Sequence, residues 1–120
     1  MFIRGVAQII KMKERPVIGF IEVVQLENFT VSAKIDTGAD ASSIDIGLAA
    51  KLRLGPVIQK TKVRSTNGKT RRPVILVALK IAGKEINGLF NLSDRHKLKH
   101  KVLIGKNILK EGFMIDPLKN

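Results

Sequence analysis

An aspartate on a tight turn directly after an apolar run is the feature that most constrains this chain. Apolar residues dominate positions 31–35, which lead into Asp36-Thr37-Gly38-Ala39 and then into a predicted short polar turn, Asp40-Ala41-Ser42-Ser43. The pattern predicts a buried strand that ends in a Thr-Gly turn and presents the Asp36 carboxylate at that turn. The chain carries one such motif, so a reaction that needs a pair of these carboxylates would need two copies of the chain.

The rest of the sequence reads as short strands separated by turn signals. Strands are predicted over residues 17–24, 57–64, 73–81, 85–92, 102–104 and 113–117. The Asn67-Gly68 pair is a strong hairpin signal, and short helices are predicted within residues 44–52 and over residues 106–111. We expect an all-β fold, a closed or partly closed barrel with one or two short helices. We expect one domain over residues 1–120, with residues 1–15 as an N-terminal extension and residues 16–117 as the core.

Composition excludes several classes of protein. The chain has no cysteine, which excludes disulfides and thiolate metal sites. Its hydrophobic fraction of 44% argues against disorder. The sequence shows neither a signal peptide nor an apolar stretch of the roughly 20 residues that span a bilayer. We therefore expect a cytoplasmic protein that does not enter membranes.

The net charge of +12 is concentrated in the second half of the chain. Residues 1–50 contain five basic and six acidic residues, whereas residues 51–120 contain 17 basic and four acidic residues. These basic residues are either solvated loop residues or a surface for an acidic partner, which could be nucleic acid or a carboxylate-rich peptide. Two stretches hold basic residues and no acidic ones: Lys60, Lys62, Arg64, Lys69, Arg71 and Arg72 in the first, and Arg95, Lys97, Lys99, Lys101 and Lys106 in the second.

A second motif lies near the other end of the chain. It consists of the apolar run 102–104, then Gly105-Lys106-Asn107, and then a short predicted helix. The two motifs in this order, with one predicted hairpin between them, resemble the retropepsin-like aspartic peptidases over about residues 18–115. The chain resembles in particular a prokaryotic subgroup often labelled ATP-dependent zinc proteases. Members of that subgroup share the run Ala-Lys-Ile-Asp-Thr-Gly-Ala, here residues 33–39, and the ending Phe-x-x-Asp-Pro, here residues 113–117.

The resemblance implies a catalytic role for the first motif. Asp36 would be the catalytic carboxylate, Thr37 would hydrogen-bond across the two-fold axis of a homodimer, and Gly38 would let the two backbones approach. Two neighbouring carboxylates share one proton, so the ionised one can take a proton from water while the protonated one donates to the scissile carbonyl. Water then attacks without a covalent intermediate, and no cofactor is implied. Ala39 stands where related peptidases often have serine, and the missing hydroxyl should favour protonated Asp36 and activity nearer neutral pH.

The second motif would support this site, and the segment between the motifs would bind substrate. Gly105 would pass its strand closely behind the catalytic loop, with Asn107 beside it, and Lys106 would pair with Asp40. The family often has arginine at the position of Lys106, so a bidentate contact would become a point contact. A flap hairpin over residues 65–70 would close over the substrate. The residues expected to contact substrate are Ala39, Asp40, Arg64, Ser65, Thr66, Asn67, Gly68, Lys69, Arg71 and Arg72.

The resemblance also implies partners. Both basic stretches would face the cleft of the homodimer, and charge complementarity then favours an acidic substrate such as a glutamate-rich tail. Members of the subgroup occur beside, or fused to, ATP-grasp glutamate ligases, which implies a functional link to such an enzyme. Two alternatives stay open: a catalytically silent module that dimerises or binds acidic peptides, and a basic protein associated with nucleic acid. We do not expect specific nucleic-acid recognition, because none of the five phenylalanines lies in a basic stretch.

The histidines and serines give weaker signals. His96 and His100 lack the His-Glu-x-x-His arrangement, since Lys97 occupies the position of the glutamate, and their basic flanks would repel a dication. We expect no metal site and assign both histidines to an exposed loop. For Ser42 and Ser43 we expect a role in capping the turn and the helix that follows, rather than nucleophilic chemistry.

Overall fold

Strand pairing closes six strands into a barrel. The computed structural model describes residues 15–65 and 68–120, so nearly all of the expected N-terminal extension, and Thr66 and Asn67 of the expected flap, lie outside the described residues. The strands are β1 (Val17–Ile18), β2 (Ile21–Leu26), β3 (Phe29–Ile35), β4 (Ser42–Asp45), β5 (Val57–Ser65), β6 (Gly68–Ile81), β7 (Lys84–Ser93), β8 (Val102–Ile104) and β9 (Met114–Ile115), and the helices are α1 (Ile46–Lys51) and α2 (Lys106–Leu109).

The barrel follows the strand order β2-β3-β8-β4-β7-β6 and closes where β2 pairs with β6. The first half of β6 extends beyond the barrel and pairs with β5 in an antiparallel ribbon. The two short strands β1 and β9 form a separate parallel sheet. The expected all-β barrel with two short helices is therefore confirmed. None of the described helices has the length and apolar character needed to cross a bilayer.

Alternating side chains on β6 and β7 build an aliphatic core. On β6, Ile75, Val77, Leu79 and Ile81 point inward and are at most 2% exposed. Phe90 on β7 is fully buried against this row and is the largest buried side chain in the described part of the chain. Because successive strand residues face opposite sides of the sheet, this spacing leaves the intervening residues for the outer surface. Each buried side chain of this kind contributes about 1.5–3 kcal/mol through removal from water.

The single strand predicted over residues 17–24 is wrong, because the chain bends at Gly19 and Phe20. The Gly19 N–H donates to Glu22 Oε1 at 2.6 Å, and the Phe20 carbonyl accepts from the Ile35 N–H at 2.8 Å. These hydrogen bonds satisfy backbone groups at the bend outside any strand ladder. The two halves of the apolar run therefore join different sheets. β1 pairs with β9, and β2 pairs with β3.

The polar turn predicted over residues 40–43 is also wrong in its second half. Ser42 and Ser43 begin β4, all four residues of which are buried, between β7 on one side and β8 on the other. The expected capping role of the serines is wrong too, because Asp45 caps α1. Its Oδ2 accepts the Leu48 N–H at 3.1 Å, as an N-cap side chain does.

Candidate active site

The turn that carries Asp36 is fixed by three hydrogen bonds. β3 ends at Ile35, and the Asp36 N–H donates to the Ile104 carbonyl on β8 at 2.9 Å. Asp36 Oδ1 accepts the Gly38 N–H at 2.9 Å, and the Asp36 carbonyl accepts the Ala39 N–H at 3.3 Å. Asp36 is half-buried, whereas Thr37 and Gly38 are exposed. The carboxylate is thus held in one orientation at an exposed turn, as the sequence predicts.

Gly105 brings the second motif against this turn. The Lys106 N–H donates to the Ala39 carbonyl at 2.8 Å, and the Asn107 N–H donates to the Asp40 carbonyl at 3.1 Å. A Cβ atom on Gly105 would lie 2.3 Å from the Ala41 carbonyl oxygen, far inside contact distance. Its φ of −104° is open to any residue, so a glycine is needed here for close approach and not for backbone conformation.

A serine and an asparagine connect the turn to the barrel. The Ser42 hydroxyl donates to Asn107 Oδ1 at 2.7 Å and accepts the Gly105 N–H at 2.9 Å. Asn107 Nδ2 donates to the Leu89 carbonyl on β7 at 3.0 Å. Ser42 is fully buried, so both of its hydrogen bonds are made away from solvent. The asparagine thus ties the start of α2 to both β4 and β7.

The expected pair of Asp40 with Lys106 is present. Lys106 Nζ lies 3.0 Å from Asp40 Oδ1, with 53% and 95% of the two side chains exposed. An ion pair this exposed is screened by solvent and contributes at most about 1 kcal/mol. The two backbone hydrogen bonds, and not this pair, hold the loop against α2.

A cleft of about 670 Å³ opens beside the Asp36 turn. The loop of residues 38–41 forms one side, and β4, β5, β6 and β7 contribute Ser43, Thr61, Lys62, Arg72 and Asn91. Arg95 from the loop after β7 and Leu103 from β8 complete the lining. Ala39, Asp40 and Arg72, which were expected to bind substrate, therefore lie at the cleft. A smaller hollow of about 190 Å³, lined in part by Ala41, Val74 and Leu89, shares residues with it.

Arg72 lies on a buried polar network in the cleft wall. Its Nη1 donates to Asn91 Oδ1 at 3.4 Å, and the same oxygen accepts the Ser43 hydroxyl at 2.8 Å. Asn91 is 4% exposed, so its side chain is a fixed acceptor that orients the guanidinium. The sequence gives no signal for this role of Asn91 and Ser43, because Asn91 is an isolated polar residue in a strand and Ser43 belongs to a polar stretch that predicts a turn.

Arg95 is a second cleft arginine, which the sequence marks only as part of a basic stretch. Its N–H donates to Asp45 Oδ1 at 2.7 Å, and its Nε donates to the His100 carbonyl at 3.1 Å. Burial lowers the pKa of the Arg95 guanidinium and the neighbouring Arg72 lowers it further, while the carboxylates of Asp45 and Asp36 oppose the shift. The side chain is therefore a partly desolvated cation within the field of Asp36. Its position in an acid-free stretch was the available signal.

One lysine of this basic loop has a structural role. Lys101 Nζ donates to the carbonyls of Arg95, His96 and Leu98, so its ammonium holds the loop together. His96 pairs with Asp94, which lowers the pKa of that carboxyl chiefly through the side-chain hydrogen bond. Within residues 15–65 and 68–120, no three histidine or acidic side chains come together as metal ligands would.

The pairing of β5 with β6 divides the basic residues of the flap between two faces. Thr61 lies opposite Arg72, whereas Lys62 lies opposite Arg71. Directly opposed residues share a face and neighbours along a strand alternate, so Arg71 and Lys69 point to the face opposite that of Arg72. The register divides these cations between two faces of the ribbon within one chain, and the expectation that both basic stretches face the cleft of a homodimer stays a prediction. Gly68 begins β6 and the backbone of Arg64 and Ser65 ends β5, while Thr66 and Asn67 lie outside the described residues.

Comparison with known proteins gives a family and a fold. Residues 48–120 match the family described as RimB-like, retropepsin-like aspartic endopeptidase RimB. The structure resembles that of Lpg0085, a protein of unknown function from Legionella pneumophila, with a TM-score of 0.61 and 22% identity over 85% of this chain and 93% of that one. None of the curated proteins matches significantly. The family match includes the second motif and begins after the Asp36 turn.

Proposed function

The chain belongs to the RimB-like family of retropepsin-like aspartic endopeptidases, and we propose that it is an aspartic endopeptidase that acts as a symmetric homodimer on acidic peptide segments. The observation that carries this proposal is the Asp36 turn beside a cleft that contains two arginines. The turn supplies the catalytic carboxylate, and the arginines supply the preference for acidic side chains. The expected link to an ATP-grasp glutamate ligase and the expected cytoplasmic location remain predictions from the sequence.

The proposed chemistry uses one Asp36 from each of two copies. Two carboxylates a few ångströms apart share a proton, because both cannot ionise easily. The ionised member takes a proton from a water molecule, which attacks the scissile carbonyl, and the protonated member donates to the carbonyl oxygen. The tetrahedral intermediate then collapses as the leaving amine takes a proton.

The exposed turn supports the dimer. Thr37 and Gly38 are exposed, and the backbone on either side of them is tied to β8 through the Asp36 N–H and to α2 through the Ala39 and Asp40 carbonyls. A rigid, exposed turn can meet its own copy across a two-fold axis without reorganising. We propose that Thr37 hydrogen-bonds across that axis and that Gly38 allows the close approach. A single chain offers one such aspartate, so the monomer would be inactive.

The cleft arginines support an acidic substrate. Arg72 and Arg95 have no carboxylate partner within ion-pair distance among the described residues. Each has one guanidinium nitrogen hydrogen-bonded to the protein, at Asn91 and at the His100 carbonyl, which leaves other N–H groups for a ligand. A planar guanidinium fixed in this way binds a carboxylate with two parallel hydrogen bonds. A substrate glutamate would also relieve the repulsion between the two arginines.

The test compares four forms of the enzyme on two peptides. Wild type, Asp36→Asn, Arg95→Gln and the control Lys51→Gln are incubated with a glutamate-tailed peptide and with its glutamine-tailed counterpart. Asp36→Asn should abolish cleavage while dimerisation and peptide binding persist. Arg95→Gln should lower kcat/KM for the glutamate peptide by at least tenfold, since a charged hydrogen bond contributes about 1.5–3 kcal/mol, and change that for the glutamine peptide little.

Each outcome separates the parts of the proposal. Cleavage by Asp36→Asn would refute the aspartic mechanism. Equal loss on both peptides in Arg95→Gln would refute the acidic preference and leave the mechanism standing. Binding without cleavage in every form, across pH, would identify a silent acidic-peptide module instead. Sedimentation of wild type as a monomer at concentrations where it cleaves would refute the dimer.

A further inference from the structure

The outer side of the β5–β6 ribbon is a single-sided basic surface. We use the name basic ribbon face for Lys60, Lys62, Lys69 and Arg71. Lys62 and Arg71 are directly opposed across the ribbon, Lys60 is one pleat along β5, and Lys69 is one pleat along β6. Since alternate residues of a strand share a face, all four side chains lie on one side of the ribbon. All four are exposed.

This face has no internal charge compensation. The sequence contains no acidic residue between Asp45 and Glu85, and none of the four cations forms an ion pair within the described part of the chain. The opposed positions of Lys62 and Arg71 bring their Cβ atoms to about 5 Å on neighbouring strands. Opposed like charges destabilise a ribbon, so this arrangement is unfavourable unless a polyanion lies against it.

The exposure of the cations indicates which polyanion fits. Fully solvated lysines gain little from pairing with a single carboxylate, because water and salt screen the contact. Their binding is much more favourable when the ligand is a polyanion with condensed counterions, because binding releases those counterions. Duplex nucleic acid carries one charge per about 1.7 Å of its axis, whereas an extended acidic peptide carries at most one per about 3.4 Å of strand. The half-buried cleft arginines suit individual carboxylates, and the basic ribbon face suits a denser charge.

The shape of the ribbon is compatible with the same ligand. Positively charged side chains stand in two rows, one on β5 and one on β6, with about 7 Å between neighbours within a row because alternate residues are used. Two rows can contact a run of phosphates without any reading of bases. The absence of tryptophan and tyrosine from the sequence removes the usual stacking platform for single strands. A double-stranded backbone is therefore favoured over a single strand.

We propose that the basic ribbon face binds the phosphate backbone of double-stranded nucleic acid, without sequence specificity, at a site that borders the cleft at Lys62. This would hold the enzyme close to acidic protein segments that lie on or near nucleic acid. The proposal does not depend on catalysis, since binding can be measured on inactive protein. It assigns the cleft arginines to the substrate and Lys60, Lys69 and Arg71 to the nucleic acid, with Lys62 at the border between the two sites.

The experiment measures binding to labelled 20-base-pair RNA and DNA duplexes by fluorescence anisotropy in Asp36→Asn protein. Four phosphate contacts give a slope of about −3.6 in log K against log salt, so affinity should fall about 150-fold between roughly 50 and 200 mM KCl. The triple variant Lys60→Gln/Lys69→Gln/Arg71→Gln should retain about one contact and fall only about 3.5-fold. A matched variant, Lys51→Gln/Lys80→Gln/Lys110→Gln, removes three exposed charges elsewhere and should keep most of the wild-type slope.

Comparison of ligands and variants decides the outcome. Equal slopes and affinities in the two triple variants would overturn the proposal, because net charge alone would then explain binding. A glutamate peptide of equal charge that binds as tightly as the duplex, and loses affinity in the ribbon variant, would assign the face to acidic protein and also overturn it. Binding of both duplexes supports a contact with the phosphate backbone. Tighter binding of the RNA or of the DNA duplex would identify which nucleic acid is the preferred ligand.

Discussion

Replacement of Gly105 by alanine tests the claim that close backbone approach builds the site. The added methyl would lie 2.3 Å from the Ala41 carbonyl oxygen, 2.7 Å from the Ala41 carbonyl carbon and 2.8 Å from the Ala39 carbonyl oxygen. All three are backbone atoms, so no side-chain rotation can relieve the clash. The loop that follows Asp36 must move away from α2, or α2 must move.

The size of the effect follows from what that movement breaks. Overpacking of a tight site costs about 1–3 kcal/mol. The hydrogen bonds from the Lys106 and Asn107 N–H groups to the loop would also weaken, and each contributes about 1 kcal/mol to stability. We expect a loss of about 3 kcal/mol in the free energy of unfolding. With a urea slope of about 1.5 kcal/mol per molar, the midpoint would fall by about 2 M.

The assay is urea unfolding followed by far-UV circular dichroism at one fixed protein concentration, so that any change in association is held constant. Gly47→Ala is the matched control, because its added methyl would meet the tip of the Asp45 side chain at 3.1 Å and helix propensity favours alanine by up to about 1 kcal/mol. If the midpoint of Gly105→Ala stayed within about 0.3 M of wild type, the close-approach argument would be refuted.

Two further predictions concern polar contacts. Asp45→Ala removes the α1 cap and the acceptor of the Arg95 N–H, so the free energy of unfolding should fall by about 2–4 kcal/mol. Asp45→Asn should lower it by less than half of that amount. Equal losses in the two variants would contradict the capping role. For Asp94, the lowered pKa means that its contact with His96 stabilises the fold above the usual value of 3.8 and is lost as pH falls through the lowered value. The stability difference between wild type and Asp94→Asn should therefore be fully present near pH 5 and shrink below about pH 4 in acid titrations; a difference that grows on acidification over this range would show the sign to be wrong.

The two motifs could be predicted from the sequence because their residue types are restricted by geometry. Asp36-Thr37-Gly38 needs an acceptor side chain before a tight turn, and Gly105 is the residue that fits against the Ala41 carbonyl. The barrel was predicted from several short apolar runs separated by turn signals, among them residues 73–81 and 85–92. These features are local, so a single sequence contains them.

Other features depend on partners that are distant in the chain. β4 has only one large apolar residue, Ile44, and is buried because Ser42 and Ser43 find Asn107 and Asn91 inside the protein. The first four residues of β6 are all exposed, so no alternation marks them as a strand. The division of the flap cations between two faces depends on the register of β5 against β6, and Arg72 could not be distinguished from Arg71 without it.

The closure of the barrel determines which part of the molecule opens most easily. The β2–β3 hairpin, which leads into Asp36, joins β6 through two residue pairs and β8 through three, whereas β6 and β7 share eight. Amide hydrogens exchange through the least costly local opening, so those of the hairpin that face β6 and β8 should exchange before those between β6 and β7. A second copy or a peptide bound at the Asp36 turn would slow this exchange, because a ligand that binds only the closed form stabilises that form. The protection of these few amides would then report on occupancy of the site.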